Sequence, residues 1–342
     1  MSQENVEGEG HPSYTGFMKP VRGGLLLALL ALFLLLVPVT SAWAAYPGRN
    51  GLIAYSGSEH STHTGTEIFA IPPSGGTPIQ LTHNGDSDYS PAWSADGRRI
   101  VFVRGVGSRE AIWTMRANGR HQHKIIGVPS SRVSEPSFSP SGGRIVFVLG
   151  RSIATVGIRG NGLRQLVFGR PRRGSVRSPE YSPNGKRIAF SGVPQGHVRR
   201  TSIWTMDRDG SHRRRVTRPR QELGLDVGPD WRADGRRILF LHLDCEDRGC
   251  DSGIYSVRPN GSRQRLITRS TSYPGVYSPT GHRIALYTVG YDNIFQNAKC
   301  ADIFTVAAPR QPGSHSVTHY CDGQPTRFTG LAMDPSWQPI TR

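Results

Sequence analysis

From residue 46 to the C-terminus the chain alternates short apolar runs with polar breaks, and no amphipathic helical period appears in that stretch. Arg99–Val103 and Ala111–Met115 are representative, followed by a weaker run at His123–Ile126. Val, Ile, Phe and Trp stand at alternate positions and Gly, Asn and Asp bound each run. β-Branched and aromatic side chains suit a pleated, half-buried surface, and the bounding residues suit turns, so the runs predict strands.

The pattern is also periodic. P-A-W-S-A-D-G-R-R-I-V-F around Trp93 returns as P-S-F-S-P-S-G-G-R-I-V-F at Phe138, P-E-Y-S-P-N-G-K-R-I-A-F at Tyr181 and P-D-W-R-A-D-G-R-R-I-L-F at Trp231. A degraded copy, G-V-Y-S-P-T-G-H-R-I-A-L, surrounds Tyr277. The aligned isoleucines, Ile53, Ile100, Ile145, Ile188, Ile238 and Ile284, are separated by 47, 45, 43, 50 and 46 residues. A period of this size marks a repeat architecture in which each unit buries its apolar face against the next. The phrase S-A-D-G at Ser94–Gly97 predicts a hairpin turn, and a second turn recurs at Gly119, Gly162, Gly210 and Gly261. Each unit thus reads as four antiparallel strands, a propeller blade.

A leading half-phrase at Tyr46 holds the second strand of a unit, and a trailing half-phrase at Trp337 holds a first strand. Joined, they complete one blade and remove the free edge of an open ring. The expectation is an all-β, six-bladed β-propeller over residues 45–342, closed by N- and C-terminal strands sharing one blade. The recurring aromatics Trp93, Phe138, Tyr181, Trp231, Tyr277 and Trp337 are expected to pack between blades rather than to form a ligand cage.

Residues 1–44 read differently. An unbroken apolar run at 25–37 follows Lys19 and Arg22 and precedes A-W-A at Ala42–Ala44, which describes a secretory signal peptide cut after Ala44. The alternative is an uncleaved membrane anchor over residues 25–45, and either Met1 or Met18 serves as the start. Both readings place the domain outside the cytoplasm, in the periplasm or cell envelope or secreted. All four cysteines, Cys245, Cys250, Cys300 and Cys321, fall in the exported part, where disulfides form. Of the three pairings, Cys245 with Cys250 and Cys300 with Cys321 keeps each bridge within one blade.

The chain carries a net charge of +17, and removing residues 1–44 leaves 40 basic and 22 acidic side chains, a net +18. Much of this sits in the D-G-R-R turns, as at Arg98, Arg99, Arg236 and Arg237, where it serves solubility. A second group, Arg170, Arg172, Arg173, Arg177, Arg199, Arg200, Arg218 and Arg220, falls on connections at the opposite rim and predicts a basic crescent over the third and fourth blades. Its expected partner is a protein or an acidic polymer of the envelope, bound by a monomeric propeller. Export argues against nucleic acid, and membrane contact is confined to the N-terminal segment if that is uncleaved.

Catalytic signatures are sparse. The chain lacks G-x-S-x-G, H-E-x-x-H, the P-loop and G-x-G-x-x-G, and no cofactor is implied. His60 and His63 fall in one loop and His121 and His123 in one hairpin; a spacing of two on a strand suits a metal, but both pairs read as solvated loops. Asp207–Gly210 holds part of a calcium-loop pattern but lies where other units have plain turns. Leu243–Asp251 gathers four carboxylates around Cys245 and Cys250. Asp88, Glu135, Glu180, Asp230 and Asp334 recur near the repeated proline. They form either a carboxylate ring in the channel, the basis of an alternative reading as a propeller hydrolase or lactonase with a metal or acid–base site, or a set of caps on backbone amides at blade junctions.

P-x-W-S-x-D-G-x-x-I-x-F followed by I-W-x-M-x-x-[ND]-G stands at Pro91–Phe102 with Ile112–Gly119, and a variant at Pro229–Phe240 with Ile254–Gly261; the closing L-T appears at Leu81-Thr82 and V-T at Val216-Thr217. This repeat, over about residues 46–340, resembles that of TolB-like propellers, and is similar to that of the prolyl-oligopeptidase propeller without the following hydrolase domain. The TolB resemblance implies a periplasmic partner of a peptidoglycan-associated lipoprotein in the Tol–Pal system. It also implies an N-terminal α/β domain, for which the stretch between signal and Tyr46 leaves no room.

Overall fold

The computed structural model describes residues 46–58, 65–167, 176–193, 200–219, 224–246, 249–269, 274–291, 298–307, 314–318 and 331–341. Twenty-four strands form six four-stranded antiparallel sheets. Blade I contains β1 (Arg49–Ser58), β2 (Glu67–Ile71) and β3 (Ile79–Gln80). Blade II is β4 (Ser87–Trp93), β5 (Arg99–Val106), β6 (Arg109–Arg116) and β7 (His123–Gly127). Blade III is β8 (Val133–Phe138), β9 (Arg144–Leu149), β10 (Ser152–Gly157) and β11 (Arg164–Val167). Blade IV is β12 (Val176–Tyr181), β13 (Arg187–Gly192), β14 (Ser202–Asp207) and β15 (Arg214–Arg215). Blade V is β16 (Leu225–Trp231), β17 (Ile238–Glu246), β18 (Gly249–Val257) and β19 (Arg265–Arg269), and blade VI is β20 (Val276–Tyr277), β21 (Arg283–Tyr291), β22 (Ala298–Ala307) and β23 (Ser314–Ser316).

Closure is as the two half-phrases predict. The last strand, β24 (Leu331–Ile340), pairs antiparallel with β1, Arg49 opposite Ile340 and Ile53 opposite Trp337, and becomes the innermost strand of blade I. The all-β, six-bladed ring is therefore the fold.

The core lies between blades. Phe138 of blade III packs with Val101, Val103 and Ile112 of blade II. Tyr181 packs against Val146, Ile153 and Leu166 of blade III, and Trp231 against Ala189, Ile203 and Val216 of blade IV. Tyr277 meets Leu239 and Leu241 of blade V, Trp337 meets Tyr287 and Ile303 of blade VI, and Trp93 meets Ala54, Ile68 and Ala70 of blade I. Each aromatic thus fills the seam to the preceding blade, and burying one removes roughly 150–250 Å² from water.

Turns follow the repeat with one correction. Ser94 Oγ accepts from Arg99 N at 2.9 Å, Gly97 N donates to Ser94 O at 2.9 Å, and Gly97 is left-handed at φ +65°. In the second turn the counterpart of Gly119, Gly210 and Gly261 in blade III is Gly160, which donates to Gly157 O, and not Gly162. Gly162 (φ +60°) instead takes the left-handed position two residues on, held elsewhere by His121, His212 and Arg263. Sequence alignment on N-G chose the wrong one of two nearby glycines.

Candidate partner-binding channel

The inner strands carry one shared irregularity. Between Tyr89 and Ala92 in β4 an extra residue enters relative to β5, and the same break lies between Ser134 and Ser137, Arg177 and Glu180, Val227 and Asp230, and opposite Ala54/Ser56 in β24. At each bulge the residue before the repeated proline is left-handed: Ser90 (φ +51°), Glu135 (+53°), Ser178 (+51°), Gly228 (+62°) and Asp334 (+52°). Proline cannot donate to the ladder, so the strand breaks there, and a bulge re-aims the side chains beside it. Four of the five left-handed residues carry a side chain, a conformation that costs about 1–3 kcal/mol each and persists only where surroundings hold it.

The surroundings are the neighbouring blades. The left-handed N–H of Ser90 donates to Ser56 Oγ of blade I (3.2 Å), that of Ser178 to Glu135 Oε2 of blade III (2.6 Å), and that of Gly228 to Ser191 Oγ of blade IV (3.1 Å). Three residues on in the repeat, Trp93 N donates to Ser336 Oγ (3.1 Å) and Tyr277 N to Asp230 Oδ2 (2.8 Å). Glu135 and Asp230 therefore cap amides at blade junctions. Asp334 lies 3.5 Å from both the Ser56 and Ser90 hydroxyls.

Together these residues line a cavity of about 550 Å³, to which all six blades contribute. Glu135, Glu180, Asp230 and Asp334 all reach it, with Arg177 and the half-buried Tyr46, whose hydroxyl donates to Phe138 O at 2.9 Å. Asp88 is the exception among the recurring carboxylates. It is fully buried in a bidentate pair with Arg104, both contacts 2.7 Å, and Arg104 lies over the Trp113 ring at 4.7 Å. Asp226 and His242 (2.6 Å) hold the same strand positions in blade V.

Burial pushes the Glu180 carboxyl up to about 8, with Asp230 adding to it, and pushes Asp230 up to about 7 against the opposing Tyr277 N–H. Burial likewise raises Glu135 and Asp334, and Tyr46 is raised by burial first and then by Glu180. Among the described residues no three His, Cys, Asp or Glu are grouped to hold a metal ion.

Of the eight predicted rim arginines, Arg177, Arg200 and Arg218 are described. Arg177 is exposed at the cavity and 3.8 Å from Glu135 Oε1. Arg200 and Arg218 lie close enough to Arg215 to lower its guanidinium pKa, after burial, which acts most strongly. Arg170, Arg172, Arg173, Arg199 and Arg220 lie outside the described residues, as do His60, His63 and the signal segment. His121 is exposed in a turn, and its carbonyl lies 3.2 Å from His123 Nδ1. Asp207–Gly210 is a plain turn, with Gly210 N on Asp207 O and Ser211 N on Asp209 Oδ1 at 2.9 Å. The β17–β18 ladder sets Cys245 directly opposite Cys250.

No family model matches the chain. A TolB homologue of Chlorobium luteolum is 31% identical over 158 residues, 44% of this chain and 33% of that protein. The Tol-Pal system protein TolB of Anaeromyxobacter dehalogenans is 31% identical over 142 residues, 42% of this chain and 21% of that protein. The matches thus span a third or less of those relatives' length. Among solved structures, TolB of Acinetobacter baumannii superposes with a TM-score of 0.68 at 19% identity, covering 86% of this chain and 69% of that one. In repeat and in fold, this chain is a TolB-like six-bladed β-propeller.

Proposed function

We propose that the chain is an exported, non-catalytic scaffold of the cell envelope that docks a protein, or an acidic envelope polymer, over the rim where the inner strands begin. The observation that carries this reading is the cavity of about 550 Å³ with the exposed Arg177 at its edge. Arg200 and Arg218 follow the outward ends of β13 and β15, so the strand order sets them on the same rim. The names of the relatives point to the Tol-Pal system, and a peptidoglycan-associated lipoprotein is the first partner to test. The alternative, a hydrolase or lactonase, draws on the channel carboxylates. Glu135 and Asp230 already accept from backbone amides, and Asp334 lies beside two hydroxyls.

Electrostatic docking loses affinity with salt. Neutralising Arg170, Arg172, Arg173 and Arg177 together is expected to weaken lipoprotein binding about tenfold or more at low salt and to flatten its salt dependence. Unchanged affinity and salt slope would overturn the electrostatic reading. Export further implies a Cys245–Cys250 bridge. Directly opposed residues of an antiparallel pair have Cα atoms about 4.5–5.5 Å apart, within disulfide range. Peptide mass analysis without reduction should recover the two cysteines linked; two alkylatable thiols would refute the bridge.

A further inference from the structure

The opposite rim, where the hairpin turns lie, holds a second concavity of about 570 Å³ between blades IV and V. Arg187, Arg232, Arg236, Arg237 and Arg258 line it, against one carboxylate, Asp234. Among the described residues, three of the five, Arg236, Arg237 and Arg258, have no carboxylate partner. Arg232 Nη1 lies 3.3 Å from Asp234, and Arg187 Nε is 4.0 Å from Asp207. Arg237 Nη1 donates to neutral acceptors, Ser256 Oγ and Arg263 O, both at 3.2 Å. Arg236 and Arg258 have no side-chain acidic partner among the described residues. Burial, then the neighbouring Arg265, Arg258 and Arg232, pulls the Arg237 guanidinium below its ordinary range.

The turn itself departs from the repeat in a way that structure alone does not favour. Blades II, III, IV and VI open this turn with Ser94, Ser139, Ser182 and Ser278, each accepting from the backbone N–H five residues on at 2.9–3.1 Å. Blade V has Arg232 instead. The exchange gives up a capping acceptor and adds to the cluster a fifth cation, set 3.3 Å from Asp234.

We propose that this groove binds a ligand carrying two or more phosphate groups. A phosphate offers several oxygens to planar guanidinium forks at once, and one charge alone would not match Arg236, Arg237 and Arg258, the three without a carboxylate partner among the described residues. The proposal is independent of partner docking at the other rim.

The test is calorimetric titration of the full chain with inorganic pyrophosphate and with a polyphosphate chain at low salt. Arg232→Ser restores the repeat's own residue and keeps the fold, and is expected to lower affinity for the probe tenfold or more with no loss of Tm. Arg98→Ala, an exposed arginine of the blade II turn on the same rim, should bind as the parent does. Equal affinity for both probes per site assigns a small diphosphate, and markedly tighter polyphosphate binding assigns a polymer. No binding of either probe, or equal losses in Arg232→Ser and Arg98→Ala, overturns the proposal.

Discussion

At the scale of single residues, one repeat position serves several chemical ends. The residue before each seam aromatic is Ala92, Ser137, Glu180, Asp230, Val276 or Ser336. Two of these are acids raised by burial, Glu180 to about 8 and Asp230 to about 7. The folded ring therefore holds their protons more tightly than the unfolded chain, whose carboxyls titrate near about 4. The stability they confer is complete below that value and is lost as pH climbs through about 7 and 8. Thermal melts should show Tm falling between about pH 5.5 and 8.5, a loss of roughly 1–3 kcal/mol, and Glu180→Gln should flatten the slope. A Tm that rises over the interval would contradict the raised values. These acids were visible in the sequence as recurring carboxylates. The amide cap that Asp230 makes was one of two open readings, because the bulge that aims it is a register feature that side-chain spacing does not reveal. Asp88, at a neighbouring position, could not be told apart from them until Arg104 was seen across the ladder.

At the scale of elements, the strands and the first turns were legible because alternation and D-G or N-G pairs encode them locally. The bulges were not, although their signal was present as a proline inside every complete inner strand but that of blade VI. Proline is confined to sheet edges and bulges, and here it stands in the edge strand of its blade, directly after a left-handed bulge residue. The turn glycines test how tightly blades approach. A methyl group on Gly97 (φ +65°) would run into the carbonyl oxygen of Pro339 in blade I, whereas one on Gly107 (φ +59°) would meet open space. Gly97→Ala should cost about 2–4 kcal/mol in urea melts, and Gly107→Ala only the left-handed penalty of about 1–2 kcal/mol. Equal losses would show that the backbone conformation, not the blade contact, governs the turn.

At the scale of the whole molecule, the ring could be counted from the sequence because the unit repeats, and its closure because each end carries half a phrase. The two surfaces proposed to bind were harder to read. The rim arginines formed a pattern only through strand direction, and the groove between blades IV and V was hidden inside charge assigned to solubility. What betrays it is a single departure, Arg232, from an otherwise regular serine. The shared blade has a further, temporal side. Leu52 N donates to the Gln338 side chain across 286 residues, so the pairing that seals the ring is also among the most distant in the chain. Loop-closure entropy grows only slowly with length, yet contacts this remote set the pace of folding. The apolar seam between blades I and II can form as they emerge, since Trp93 packs on β1 and β2, but the seam between blades VI and I is completed only by Trp337 of the ten-residue strand β24. A nascent chain is thus an open arc with an unsatisfied edge at each end, and it becomes a ring only when synthesis, and any passage across a membrane, has delivered β24.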